Sequence, residues 1–190
     1  MHTIEPYYSW EKFYVSDEDV NSPFYGKHHS QVEYTNAIYD HYIHPQWDFI
    51  GSETLYIKIL FTDYNRGFTI IEMIGEWNDA VHNDIMYFKR NIVDYMIKKG
   101  INQFILIGES VFNFHGSDDC YYEEWSADIE EGWITAINFQ QHVIDEWKKY
   151  NLDSYISFNE IFEIVDWRTL SPPELYEKIN KVVKQLAIYS

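Results

Sequence analysis

The densest run of residues that could do chemistry lies between His115 and Glu124, where the sequence reads His-Gly-Ser-Asp-Asp-Cys-Tyr-Tyr-Glu-Glu. An imidazole with several carboxylates suits Mn²⁺, Fe²⁺ or Zn²⁺. Such an ion activates water at neutral pH, which would make the protein a metal-dependent hydrolase. The candidate ligands, one of which could instead be a general base, are His115, Asp118, Asp119 and Glu123. The spacing matches no defined metal motif, and runs of like charge are more often solvated loops.

Aromatic residues flank the same run and offer a second kind of site. Flat rings with polar edges stack on sugars, so a glycan or another small ligand could bind them. The candidate platform consists of Tyr121, Tyr122, Trp125 and Trp133. Packing in a core or in a dimer contact is the competing interpretation, because aromatic side chains dominate such contacts generally.

Other reactive residue types give weaker signals. Five of the eight histidines lie in the first 44 residues, so a metal site that combines His28, His29, His41 or His44 with His115 is conceivable. Hydrogen-bonded or surface histidines are the commoner case. The sequence has no glycine-rich phosphate loop, and its lone cysteine, Cys120, can form neither an internal disulfide nor a thiolate cage. We therefore predict no cofactor and no nucleotide chemistry.

Charge and composition narrow the possible partners. The 190 residues carry a formal net charge of −17, which disfavours binding to nucleic acids and to anionic lipid surfaces. Residues 109–131 contain eight acids and no Lys or Arg, and residues 1–53 contain nine acids and two bases. No apolar run is long enough to span a bilayer, and the first residues lack the features of a signal peptide. These observations predict a cytoplasmic protein.

Hydrophobic periodicity sharpens after residue 53. Alternating apolar residues predict two strands over 55–62 and 68–74 that form a hairpin, with Gly75 at its end. An apolar stripe with a cap at Asn78 or Asp79 predicts one helix that ends at Gly100. The next predicted elements are a central strand at 104–107, a helix at 119–131 and a strand at 133–137. They are followed by a helix capped by Asn138, a short strand near 155–158 or 162–165, and a helix that begins after Ser171 with Glu174 in a capping box.

This order predicts an α/β fold. Strands that alternate with helices need crossover connections, so the sheet should be mixed but mainly parallel, with one antiparallel hairpin and flanking helices. We predict a single α/β domain at 54–190. Residues 1–53, with twelve aromatics interrupted by Pro and Gly, are predicted to be an ordered arm that packs on this domain, with a short strand or helix in 31–43.

In its element order, the segment 55–186 resembles the anti-sigma-factor-antagonist-like domains, also called STAS or SpoIIAA-like domains. The likeness consists of the hairpin, the Gly75-Glu76-Trp77-Asn78 entry to the first helix, the strand at 104–107 and the alternation that follows. The resemblance implies a non-enzymatic role in binding a partner or a small ligand. Members of the family that are regulated by phosphorylation carry a Ser in an Asp-Ser-Ser-Gly-like turn after that strand, where this chain has Gly108-Glu109-Ser110.

Together these patterns favour a non-catalytic protein- or ligand-binding domain over an enzyme. Its partner would be another protein or a second copy of the chain, because exposed aromatics with an acidic rim suit protein contacts better than polyanions. The metal-dependent hydrolase and the glycan-binding module remain the alternatives.

Overall fold

A computed structural model describes residues 2–30, 32–34, 36–158, 160–162 and 165–189. Its main feature is a five-stranded sheet in the order β4-β5-β6-β7-β8. Two pairings are antiparallel, β4 with β5 and β5 with β6, whereas β6, β7 and β8 run parallel. The strands are Asp48–Phe49 (β4), Leu55–Asp63 (β5), Phe68–Asn78 (β6), Gln103–His115 (β7) and Trp133–Ile137 (β8). The predicted mixed α/β fold is confirmed.

The predicted hairpin is formed by β5 and β6, but its second strand is longer than expected. β6 continues through Gly75 as far as Asn78. Gly75 has φ +121°, and a Cβ there would lie 2.0 Å from the carbonyl oxygen of Thr54. The sequence prediction that Gly75 ends the strand is therefore wrong, because glycine here permits a close backbone approach inside the ladder.

The single helix predicted after residue 78 is broken into segments. Asn83 adopts a left-handed conformation with φ 54°, and it separates two short helices. The segments are α1 (Asp79–His82), α2 (Asp84–Phe88), a π-helical turn (Lys89–Val93) and α3 (Asp94–Lys98). Two carboxylates stabilise the break: Asp79 accepts the backbone N–H of Ile85 at 2.8 Å, and Asp84 accepts that of Asn78 at 2.8 Å. These bonds replace helical bonds that a continuous helix would make.

Strand β7 has 13 residues, so the acidic segment begins inside the sheet. The prediction that the strand ends near 107 and that 109–115 belongs to a solvated segment is wrong. The pairing with the end of β6 continues from Ser110 to His115, and the connection to the next helix is Gly116–Asp119. That helix, α4, spans Cys120–Asp128, which is shorter than the predicted 119–131.

The last third of the chain agrees in part with the sequence patterns. Helix α5 (Gln141–Lys149) follows Gln140 as N-cap residue, so the predicted cap at Asn138 is wrong. Asn138 instead adopts φ 56° and bonds across the chain to Glu109 and Val165. Of the two places predicted for a short strand, 155–158 has one parallel bridge, between Thr135 and Ser157, and 162–165 includes residues 163 and 164, which lie outside the described residues.

Helix α6 (Pro172–Tyr189) begins as predicted. The backbone N–H of Ser171 donates to the Glu174 carboxylate at 2.8 Å, which is one half of the predicted capping box. Within the described ranges, no helix combines the length and the apolar character that crossing a bilayer requires.

Helices cover both faces of the sheet. On one face, Trp77, Phe88, Trp125 and Trp147 belong to the large core formed with α2 to α5. On the other face, Trp10, Phe68, Trp167 and Ile179 belong to a second core formed with α6 and with the N-terminal residues. Trp10 is buried, and its Nε1–H donates to the carbonyl of Leu170 at 3.1 Å.

The N-terminal residues also form a small sheet of three strands in the order β1-β3-β2. These strands are His2–Ile4 (β1), Ala37–Ile38 (β2) and His41–Ile43 (β3). Ile38 and Ile43 pack with Trp47, Tyr56 and Ile74, which joins the small sheet to the main one. The main sheet includes β4, so N-terminal residues supply one of its edge strands.

Candidate functional site

The structure does not bring the four candidate metal ligands together. His115 ends β7 with its Nε2 atom 3.1 Å from Oε1 of Glu76. Asp118 accepts the N–H of Cys120 at 3.2 Å, whereas Asp119 accepts the Tyr155 hydroxyl at 2.8 Å. Glu123 is exposed on α4. No group of three ligand atoms that includes any of these four side chains lies close enough to share an ion, as far as the described residues go.

Three other carboxylates do converge, those of Asp94, Glu124 and Asp128. A cation already lies among them, because the buried Lys89 ammonium is 2.7 Å from Asp128, 3.4 Å from Glu124 and in contact with Asp94. Burial lowers the pKa of Lys89, but the hydrogen bonds to Asp128 and Asp94 outweigh it and raise that pKa overall. An internal ammonium therefore neutralises this part of the acidic segment.

The four candidate platform residues do not form one exposed surface. Tyr122 and Trp125 are completely buried on the inner side of α4. Tyr121 is half-buried beneath the Arg90 guanidinium, which lies 5.3 Å from its ring centroid. Trp133 contacts the second core and stacks on Tyr176 at 6.3 Å.

A polar cluster lies at the carboxyl ends of β6 and β7, the edge where open α/β sheets commonly bind ligands. Its centre is Glu76, which accepts the Tyr39 hydroxyl at 2.6 Å and the Asn78 amide at 2.9 Å, and which lies 3.1 Å from Nε2 of His115. Asn113 donates to the Tyr39 hydroxyl at 2.6 Å. The Glu76 carboxylate thus orients the imidazole, and the cluster is a hydrogen-bonding surface because His115 is exposed.

Glu72 is a buried carboxylate that joins three parts of the chain. It accepts the backbone N–H of Tyr7 at 2.9 Å and lies 3.8 Å from the Arg168 guanidinium. Burial raises the pKa of Glu72 to about 7, although the Tyr7 hydrogen bond and Arg168 act in the opposite direction. Arg168 also contacts Glu109 at 2.6 Å, and Glu109 accepts the Trp167 indole N–H at 2.8 Å.

Asp79 is the matching buried carboxylate on the opposite side of the molecule. Its oxygens accept the Tyr122 hydroxyl at 2.6 Å, the Trp77 indole N–H at 3.0 Å and the Ile85 backbone N–H at 2.8 Å. Burial raises the pKa of Asp79 to about 7, and these hydrogen bonds offset only part of that increase. Sequence reasoning missed both carboxylates as buried groups. Glu72 interrupts an apolar run, whereas Asp79 was interpreted as a possible helix cap.

A group of rings begins at Tyr42 of the small N-terminal sheet and continues over residues outside it, and we call Tyr8, His44, Tyr34 and Tyr42 the aromatic row. Neighbouring rings are in edge contact, with centroids 6.2 Å apart for Tyr8 and His44, 5.6 Å for His44 and Tyr34, and 6.1 Å for Tyr34 and Tyr42. The three tyrosines are 36%, 42% and 41% exposed. His44 is more buried, and this burial lowers its pKa, so the ring is neutral at pH 7.

Acidic groups surround the aromatic row. Glu5 lies 3.7 Å from His44, and the burial of Tyr8 together with the carboxylates of Glu5 and Glu11 raises the pKa of Tyr8 to about 12. Asp40 is on the turn that joins the strands of the small sheet, next to His41. Nothing in the sequence pattern identified this row, because its members are separated by up to 36 residues and meet only in the folded chain.

Comparison with known proteins gives weak structural similarity only. No family model matches the chain, and no curated protein matches it. A solved structure titled as the anti-sigma factor antagonist SpoIIAA in its unphosphorylated form is similar with 13% identity and a TM-score of 0.40, over 60% of this chain and 97% of that chain. The predicted resemblance to SpoIIAA-like domains is thus found again at the level of the fold, and it carries no argument about function.

Proposed function

We propose that this protein is a non-catalytic binding domain that recognises a basic protein partner through the aromatic row. The observation that carries the proposal is the exposure of three tyrosines whose rings are joined edge to edge through His44 beside the small sheet. Tyrosine gives a large contact area at a low cost in conformational entropy, and tyrosine is enriched in protein interfaces.

Charge supports a basic partner. Residues 1–53 hold nine acids against two bases, so the region that carries the aromatic row has a net charge of −7. Complementary charge accelerates association and suppresses binding of acidic proteins. The small sheet that holds Tyr42 packs on the main sheet through Ile38 and Ile43, so the row is presented on a supported surface.

The competing functions have less support from geometry. The four candidate metal ligands of a hydrolase do not converge on one place within the described residues. Two of the four rings of the candidate glycan platform, Tyr122 and Trp125, are buried in the core. The polar cluster around Glu76 offers hydrogen bonds but brings no nucleophile next to His115 within the described contacts. The lone cysteine agrees with a reducing compartment, and we place the binding function in the cytoplasm.

The proposal can be tested by site-specific photo-crosslinking in the cells that produce the protein. A benzophenone amino acid would replace Tyr42 in one variant and Tyr150 in the control, since Tyr150 is similarly exposed, at 38%, but lies after α5. We expect a discrete crosslinked protein at Tyr42 that is absent at Tyr150. The purified basic partner should bind at least about tenfold more weakly to the variant Tyr34→Ser/Tyr42→Ser, with a steep dependence on salt.

Identical crosslinks at the two positions, or an unchanged affinity of the double variant, would show that the aromatic row is not the interface. A crosslink to a second copy of the chain would replace a foreign partner with self-association. Any of these three results would refute the proposal that a basic partner binds the aromatic row.

A further inference from the structure

A cleft of about 240 Å³ lies between the N-terminal segment 6–18 and strand β5, and we call it the arm cleft. Tyr7, Tyr8 and Tyr14 line it together with Glu11, Ser16 and Lys58. Its position is fixed from both sides. Tyr14 donates to Asp19 at 2.8 Å, and Tyr64, in the turn directly after β5, donates to the same carboxylate at 2.6 Å. The cleft is therefore a defined space between ordered elements rather than a gap beside a loose segment.

The arm cleft is negatively charged. Glu11, Asp17 and Glu18 line it, and none of their carboxylates is paired with a cation in the part of the chain that the structure describes. Lys58 is the cation of the cleft, but its ammonium lies 3.6 Å from the buried Asp48 carboxylate, which matches its charge. Three carboxylates thus remain without a counter-charge around one cavity, an arrangement that favours a positive guest.

Ser16 supplies a second and independent observation. It lines the arm cleft, it is 1% exposed, and its Oγ atom has no hydrogen-bond partner. A buried hydroxyl without a partner loses its bonds to water and gains nothing in return. A donor that enters the cleft would satisfy the hydroxyl oxygen.

We infer that the arm cleft binds an alkylammonium group, with Ser16 as hydrogen-bond acceptor, the three carboxylates as counter-charges and the tyrosine rings as walls. Aromatic rings beside carboxylates are the surroundings in which organic cations bind well, because the ring face is negative. A cavity of this size takes a primary amine on a short alkyl chain. Such an amine could come from a free diamine or from a lysine side chain of a protein.

Titration calorimetry at low salt tests the inference on the full chain. The probes are 1,5-diaminopentane for the free amine, Nα-acetyl-lysine methylamide for the side chain, the norleucine analogue without the ammonium, and glutarate. We expect one or both amines to bind with a dissociation constant below about 1 mM, and the norleucine analogue at least about tenfold more weakly. Which amine binds more tightly identifies the source.

Variants connect any binding to the cleft. Ser16→Ala should weaken amine binding by about three- to tenfold, the loss expected for one hydrogen bond to a charged donor. The triple variant Glu11→Gln/Asp17→Asn/Glu18→Gln should weaken it further. The matched control Glu130→Gln/Glu131→Gln/Asp153→Asn removes the same charge elsewhere on the exposed surface and should leave binding unchanged. Circular dichroism would establish that each variant is folded.

Three results would overturn the inference: no heat from either amine, equal losses in the triple variant and its control, or tighter binding of glutarate than of the amines. The last result would mean that Lys58 rather than the carboxylates determines what enters. Tyr8 belongs to both the aromatic row and the arm cleft, but Tyr34 and Tyr42, which are changed in the test of the row, do not line the cleft. The two tests can therefore fail independently, because none of the probes is a protein.

Discussion

Two buried carboxylates on opposite sides of the sheet, Asp79 and Glu72, show how differently similar groups can be held. Burial raises both pKa values to about 7. Asp79 receives three hydrogen bonds from neutral donors in β6, α2 and α4. Glu72 receives one backbone hydrogen bond from Tyr7, and its nearest cation, on Arg168, is 3.8 Å away.

The difference lies in what each carboxylate connects. Asp79 closes the break between α1 and α2 and fixes Tyr122 of α4, so it stabilises the main core from within. Glu72 joins the sheet to the N-terminal segment and to the residues before α6, so it stabilises a contact between distant parts of the chain. Loss of Asp79 should weaken the whole fold, whereas loss of Glu72 should loosen one contact.

The largest expected effect is that of Asp79→Ala. Removal of the carboxylate leaves the indole N–H of Trp77, the N–H of Ile85 and the hydroxyl of Tyr122 buried without their acceptor. We expect the free energy of unfolding in urea to fall by about 3–5 kcal/mol. Asp118→Ala is the control, because Asp118 is exposed and bonds only locally; its expected change is below about 0.5 kcal/mol. Similar losses in the two variants would contradict the structural role of Asp79.

The pH dependence of stability should reveal both carboxylates. Their folded-state pKa values, about 7, exceed the ordinary values of 3.8 for Asp and 4.5 for Glu. Between the ordinary pKa and the folded-state pKa of about 7, the folded state therefore binds more protons than the unfolded state. The free energy of unfolding decreases as pH rises through 7. For each group we expect a decrease of roughly 2–3 kcal/mol between pH 5 and pH 8.

Urea unfolding at a series of pH values would measure this decrease. Asp79→Asn and Glu72→Gln should each flatten the profile, because an amide does not titrate.

Glu109 and Asp94 have lowered pKa values. Burial raises these pKa values, but hydrogen bonds outweigh it: Asn138, Trp167 and Arg168 donate to Glu109, and Lys89 and Arg90 donate to Asp94. Their stabilisation is lost in acid, so it does not mask the decrease above pH 5. A free energy of unfolding that increases from pH 5 to pH 8 would contradict the burial of Asp79 and Glu72 as titratable groups.

The sequence predicted those parts of the fold that depend on neighbours in the chain. Hairpin alternation and the Glu174 half of the capping box are local patterns, and both are present. The break at Asn83 was not predictable in this way, because an apolar stripe continues across it. What stabilises the break is a pair of carboxylates whose burial depends on the packed core.

The site residues were harder to predict because their partners are distant in sequence. Lys89 lies 35 and 39 residues from Glu124 and Asp128, so the acidic segment could only be interpreted as unpaired. One local signal was available: Lys89 is four residues after Ile85, on the apolar side of the predicted helix. In the same way, the spacing of Tyr122, Trp125 and Ile129 is that of a buried helix face, which argued against an exposed platform.

A smaller and more local effect is expected for Glu72→Ala. The Tyr7 N–H would lose its acceptor and Arg168 would keep only Glu109, so we expect a loss of about 1–3 kcal/mol in stability. The informative measurement is limited chymotrypsin digestion between residues 10 and 45, where Phe13 and Tyr25 are exposed. Cleavage there should be faster in Glu72→Ala than in Glu33→Ala, a control on the exposed N-terminal surface. Equal cleavage rates would show that Glu72 does not hold the N-terminal segment.

The smallest expected effect is that of His115→Ala. The His115–Glu76 contact of 3.1 Å is exposed on the histidine side, and exposed ion pairs contribute about 0–1 kcal/mol. We expect a change in the free energy of unfolding below about 0.5 kcal/mol, and we expect added chelator to leave the stability of the unsubstituted protein unchanged. Elemental analysis of protein purified without chelator completes the test. Stoichiometric Mn, Fe or Zn that is lost in His115→Ala would establish the metal site predicted with Asp118, Asp119 and Glu123, and it would reverse the preference for a binding domain.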